Sequence, residues 1–185
     1  MKKLIFPIFI LVALVQWLVP GKIIFDRETI LKKGTAYRFL TEPIDPSDPF
    51  IGRYVALNFK ESIYHATKLS SLKTGETVFV LLKTDNAGHA KIAGISRKEP
   101  TATNAYVKAR VSYDTPSGDE TIIDIDFPFD KYYMEEYKAP KAEDLYRKAN
   151  IDSTKKTYAV VKIWKGRAVT ENVFVDNKPI LELIH

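Results

Sequence analysis

Sixteen residues without a charge, LIFPIFILVALVQWLV at positions 4–19, stand directly behind Met1-Lys2-Lys3, and no other stretch limits the chain as strongly. A helix rises 1.5 Å per residue, so this run reaches roughly 24 Å, short of a hydrocarbon core of ~30 Å. Carried on through Ile23, Ile24 and Phe25 it reaches roughly 33 Å. Lys22 can snorkel to the interface, and Trp17 suits the aromatic belt. The run therefore reads as an anchor, with a cytoplasmic tip and a transmembrane helix over residues 1–25. A cleaved signal peptide shares the charged start and apolar middle, but LVQWLVPGK after Ala13 offers no small-residue pair for cleavage. Lys2 and Lys3 favour the cytoplasm for the short side, while Lys22, Arg27, Lys32 and Lys33 dilute that bias. The expectation is a single-pass protein of the cytoplasmic (inner) membrane, attached through residues 4–25, with residues 26–185 outside the cytoplasm.

Composition narrows what those later residues can be. The apolar fraction, 45%, is too high for a disordered chain. Ten Tyr and ten Phe favour strands and supply large buried areas. Cysteine is absent, which excludes disulfides, thiolate zinc sites and a thiol nucleophile. The formal charge is +5, and Lys2 and Lys3 account for two of those charges. The balance left is too weak to argue for nucleic acid, which is not expected as a partner, and it is compatible with a location near anionic lipid heads.

Past the anchor, alternation of apolar and polar residues dominates. RETILKKGTAYRFLT (27–41) holds two short β-prone runs around Lys33-Gly34 and reads as a hairpin. A helix continuing the anchor through Leu31 and capped at Gly34 is the competing reading. EPIDPSDPF (42–50) carries three prolines and reads as a stiff, extended connector. In GRYVALNF (52–59), Val55, Leu57 and Phe59 form the apolar face of a strand. TVFVLLK (77–83) reads as a fully buried strand, and Asp85-Asn86-Ala87-Gly88 turns it into HAKIAGIS. AYVKARVSYD (105–114) pairs with ETIIDIDF across Pro116-Ser117-Gly118-Asp119. PKAEDLYRKA (140–149) is the one short helix, with Pro140 at its start and a stripe at Ala142, Leu145, Tyr146 and Ala149. TYAVVKIW and AVTENVFV form a final hairpin about Lys165-Gly166-Arg167. Asp176-Asn177-Lys178 then turns into a last strand, PILELI. The expected fold is mainly β: an N-terminal transmembrane helix, then an antiparallel β-sandwich or half-barrel domain with one short helix. VFVLLKTDNAGHAKIAGI and YAVVKIWKGRAVTENVFV echo one another, which leaves open two similar β-units, 26–100 and 101–185.

Chemistry-bearing residues are sparse. A Ser/His/Asp triad is disfavoured: His65, His89 and His185 are the only histidines, His89 falls in a predicted turn and His185 ends the chain. A Ser/Lys dyad would draw on Ser47, Ser62, Ser70 or Ser71 with Lys60, Lys68, Lys73 or Lys83, none in a signal-peptidase context. Asp124 and Asp126 share a strand face and, with Asp130 or with Asp45 and Asp48, could ligate Ca²⁺. No EF-hand spacing accompanies them, so a solvated face is the preferred reading and no metal or other cofactor is expected. Tyr106, Tyr113, Tyr132, Tyr133 and Tyr137 could line a groove, although aromatics at strand spacing more often fill a core. No glycine-rich phosphate loop occurs.

The order Pro43-Ile44-Asp45-Pro46-Ser47-Asp48-Pro49-Phe50, then Gly52-Arg53-Tyr54-Val55-Ala56-Leu57-Asn58-Phe59, resembles the GDYXXLXY family of bacterial membrane-anchored proteins. Gly52, Tyr54 and Leu57 match the family run, whereas Arg53 replaces its Asp and Phe59 its last Tyr. Tyr132-Tyr133-Met134-Glu135-Glu136 resembles the family's aromatic segment ahead of a helix, with Glu136 at an acidic position. Tyr158 to Val175 resembles its closing hairpin. The resemblance implies a membrane-bound protein of unestablished role, and members tend to be encoded beside multi-pass membrane proteins. Since the rest of the motif survives Arg53, it reads as structural. The function expected is therefore a non-enzymatic accessory or assembly partner of a multi-pass membrane protein. The alternatives are a diverged signal-peptidase-like Ser/Lys hydrolase and a small-ligand or Ca²⁺-binding domain.

Overall fold

A computed structural model describes residues 2–43, 54–67, 72–117, 120–152 and 154–184. Helix α1 (Lys2–Lys33) takes in the apolar run and continues through Pro20 and Gly21 into RETILKK. The hairpin reading of 27–41 is corrected: strand β1 (Thr35–Glu42) begins only after the helix has ended. Extending an existing helix needs no new nucleus. Glu28 and Lys32 pair one turn apart at 3.1 Å, and Ile30 is buried. Gly34 is the sole residue between helix and strand, and its N–H donates to the Ile30 carbonyl at 2.8 Å. Its backbone is not left-handed. What it supplies is the absence of a side chain. A Cβ there would stand 2.5 Å from the Ile30 oxygen, and 3.1 and 3.2 Å from the backbone N and O of Ile163.

The remaining strands are β2 (Tyr54–Ala56), β3 (Asn58–Phe59), β4 (Ile63–Thr67), β5 (Thr77–Thr84), β6 (Ala90–Ser96), β7 (Tyr106–Ser117), β8 (Glu120–Asp126), β9 (Lys131–Tyr133), β10 (Thr157–Trp164), β11 (Arg167–Val175) and β12 (Lys178–Pro179). Among the described residues two short α-helices, α2 (Ala139–Ile151) and α3 (Ile180–Leu183), and a 3-10 turn at Lys60–Ser62 join them. One five-stranded sheet runs β12-β11-β10-β1-β3 and the other β4-β8-β7-β5-β6, with β2 and β9 paired apart from both. All ladders are antiparallel. Isolated bridges from Arg38 to His89 and from Val107 to Gly166 stitch the two sheets into a nearly closed half-barrel. Each large sheet takes strands from both sides of residue 100.

Between the sheets lie Phe39, Phe59, Phe127 and Phe129, all buried. Every pair among these four rings is in contact, with centroids 5.0 to 6.2 Å apart. Such edge-on and offset arrangements add to the hydrophobic gain of burying the rings. A part-buried polar cluster joins α2 to β1 and β10. The Thr41 and Thr157 hydroxyls are 2.7 Å apart, and Asn150 Oδ1 lies 3.2 and 2.5 Å from them. Burial pushes the nearby Tyr146 hydroxyl up to about 12.

Three strand readings change. TVFVLLK is half-buried: Val78, Val80 and Leu82 face the core, while Phe79 and Leu81 lie at intermediate depth. Phe79 and Leu81 stay partly exposed on the other face, so apolar composition there does not mean burial on both sides. GRYVALNF keeps its alternation but divides at Leu57, with β2 pairing β9 and β3 pairing β1. PILELI is not a strand. Asp176 and Asn177 both take left-handed backbone, as a tight hairpin turn requires. Pro179, which has no N–H, then ends the ladder, and the chain coils into α3 with Ile180 buried.

Candidate functional site

The loop Asp126-Phe127-Pro128-Phe129-Asp130 alternates in depth. Its two Phe rings enter the core, and its other three residues face a groove. Where the groove meets α1 it opens into a cleft of 630 Å³. Arg27 and Ile30 of α1, Lys108 of β7, Lys131 and Tyr132 of β9, and Arg167 and Thr170 of β11 line it, with Asp130 as the single carboxylate. Four cations line it against that one acid, and with Asp26 paired to Arg167 the cleft still carries net positive charge. Among the described residues neither Arg27 nor Lys108 has an ion-pair partner. Arg167 is braced by Asp26 at 2.8 Å.

Local structure sets these side chains. Lys165 and Gly166 form the left-handed two-residue turn between β10 and β11. Gly166 accepts the Lys108 N–H at 2.8 Å, and a Cβ on it would strike the Tyr106 ring at 2.7 Å. Only glycine meets both demands, and Lys108 and Arg167 are thereby held on one wall. Opposite, β9 carries Lys131, whose amine rests 5.2 Å from the Tyr54 ring centroid, while Tyr54 and Tyr133 pack at 5.6 Å. Leu57 N–H donates to the Asp130 carbonyl at 2.7 Å, and Thr170 Oγ1 to the Phe129 carbonyl at 3.1 Å.

Of the residues the sequence singled out, Tyr54 and Leu57 thus buttress the cleft wall, and Phe59 belongs to the four-ring cluster. Pro43 is exposed just after β1. Asp45, Pro46, Asp48, Gly52 and Arg53 lie outside the described residues, as do Ser47, Lys68, Ser70 and Ser71. Glu136 is exposed in the turn before α2, away from the cleft lining. Tyr132 and Tyr133 line the cleft, Tyr106 is buried, and Tyr113 and Tyr137 are exposed elsewhere.

Asp124, Asp126 and Asp130 border one hollow of 210 Å³. No group of three metal-ligating side chains forms among the described residues. A bulge at Ser112 interrupts β7 opposite Asp124, and Asp124 accepts hydrogen bonds from the Ser112 and Ser62 hydroxyls. Ser62 is therefore engaged by an acid rather than by a lysine. Of the histidines, His65 faces Glu120 and His89 faces Asp85.

Burial holds the Asp124 carboxyl above the usual range, against the two hydroxyls, and Asp126 adds to the rise. Asp130 is also raised, chiefly by burial, with Lys131 opposing. A carboxyl raised in the fold binds its proton more tightly there than in the unfolded chain. Its contribution is present below the ordinary carboxylate pKa and is lost as pH rises through the folded value. Asp124→Asn should therefore match wild type in urea unfolding at about pH 3 and exceed it at about pH 7. An equal difference at both pH values would show that ionisation of Asp124 is not what the fold resists.

These features define a class: a half-barrel β-domain borne on one helix long and apolar enough to cross a membrane, with a basic cleft where the two meet. The family model described as GDYXXLXY protein matches residues 16–173, and the chain belongs to that family. No curated protein and no solved structure matches it.

Proposed function

We propose that this chain is a membrane-anchored accessory subunit whose extracytoplasmic β-domain docks on a multi-pass membrane protein. The observation that carries this reading is the join between helix and domain. One residue separates α1 from β1, Ile30 is buried in the domain, and Asp26 bonds Arg167. A tethered enzyme would tolerate a loose linker. A subunit that must present one surface at one height above a bilayer needs the domain fixed to its helix. The apolar face of α1 supports the anchor: Trp17 is 79% and Phe25 71% exposed.

The test is crosslinking in cells of the full chain tagged at its C-terminus, followed by membrane pull-down and mass spectrometry. The expected result is one stoichiometric multi-pass partner, with the chain retained in membranes washed with alkaline carbonate. Enrichment of no partner overturns the accessory role, and release by carbonate overturns the anchor.

A further inference from the structure

We propose that the cleft at the foot of α1 binds the phosphate-bearing headgroup of an anionic lipid. The cations come from four distant parts of the chain, at positions 27, 108, 131 and 167, and the fold brings them to one opening. Arg27 and Lys108 lack carboxylate partners among the described residues, so their charge is available to an anion. Arginine and lysine are suited to phosphoryl oxygens, through fork geometry and point charge respectively.

The choice of a lipid rests on the anchored reading above and on the helix surface below the cleft. Ile23 lies one turn before Arg27 and therefore on the same helix face. Ile23, Ile24 and Phe25 are all exposed. An acyl chain can run along that face while its headgroup enters the cleft. Arg27 lies two residues beyond Phe25, which is ~3 Å along the axis. That depth falls within a headgroup layer roughly 5–7 Å thick on each side of the hydrocarbon. A soluble acidic peptide would have no use for the apolar surface. Asp130 is the one acid lining the cleft among the described residues and Asp26 offsets Arg167, so Arg27, Lys108 and Lys131 carry the net positive charge that the ligand's phosphate meets.

The test uses the full chain in dodecyl maltoside, which keeps it independent of whether the helix spans a membrane in cells. Dihexanoyl phosphatidylglycerol, dihexanoyl phosphatidylcholine and glycerol 3-phosphate are titrated against wild type, K108Q/K131Q and R27Q. Lys60→Gln with Lys155→Gln serves as the charge-matched control for the double variant, and Lys60→Gln alone for R27Q. The expected result is binding of the anionic lipid that weakens about tenfold in each cleft variant, is unchanged in the control and falls with added salt. The zwitterionic lipid should bind more weakly. Equal affinity for glycerol 3-phosphate would overturn the lipid as the source while upholding a phosphate site. Equal affinity in cleft variants and wild type, with all melting alike, would overturn the site. Release by carbonate in the preceding experiment would remove the anchor without altering this titration.

Discussion

Replacing Phe39 with alanine should lower the melting temperature of the full chain by on the order of 10 °C. Phe39 is wholly buried, and its ring meets three other rings at 5.0, 5.6 and 5.7 Å. Removing a core phenylalanine typically costs about 3–5 kcal/mol, because the cavity adds to the lost transfer energy. At this chain length each kcal/mol moves the transition by about 2–4 °C. The cluster also ties β1 and β3 to the 126–130 loop, so the loss should loosen the cleft's floor. Phe39→Leu, which refills most of the space, should recover much of the difference. Near-ultraviolet circular dichroism during heating reports the transition, and a fall of under about 3 °C for the alanine variant would contradict the packing role.

Gly34→Val carries the second large expected effect. The Cβ alone would overlap the Ile30 carbonyl and press on both backbone atoms of Ile163, none of which is the end of a flexible side chain. Relief requires the helix to move away from β10, which would also pull Asp26 from Arg167. Overpacking of this kind costs about 1–3 kcal/mol, and a backbone obstacle places this site at the upper end. Gly21→Ala is the matched control. Nothing lies within 4 Å of a Cβ there, and alanine favours a helix. Gly34→Val should melt early and expose the Lys32-Lys33 bonds to trypsin, whereas Gly21→Ala should do neither. A valine variant as stable and trypsin-resistant as wild type would mean that the join is looser than its geometry.

The two predictions concern elements that the sequence revealed unequally. The β7–β8 hairpin, the α2 stripe and the β10–β11 hairpin were legible because alternation and turn residues are local signals. Of the α2 stripe, Ala142, Tyr146 and Ala149 are buried and Leu145 is half-buried. The hairpin reading of RETILKK gives way to its competing reading, a helix continued to Gly34, because β-propensity in a short run counts for less than a helix already under way. PILELI departs from its strand-like composition because Pro179, without an N–H, ends the β12 ladder and the chain coils into α3. The cleft was invisible for a different reason. Arg27, Lys108, Lys131 and Arg167 have no spacing in common, and each alone looks like a solvated surface charge. Tyr54 and Leu57 were singled out by resemblance, but their task of holding β9 and Asp130 depends on a pairing between residues far apart in sequence.

The one-residue join has a mechanical meaning. With Gly34 pressed between Ile30 and Ile163, the helix and the half-barrel share a single rotational phase. Inserting one residue into α1 ahead of Phe25 turns the domain by about 100° relative to the helix's apolar end and lifts it ~1.5 Å. Seven residues restore the facing to within ~20° while raising the domain ~10 Å. Orientation and height are thus separately adjustable by helix length alone, and the domain works as a pointer whose bearing is written in the residue count of its shaft.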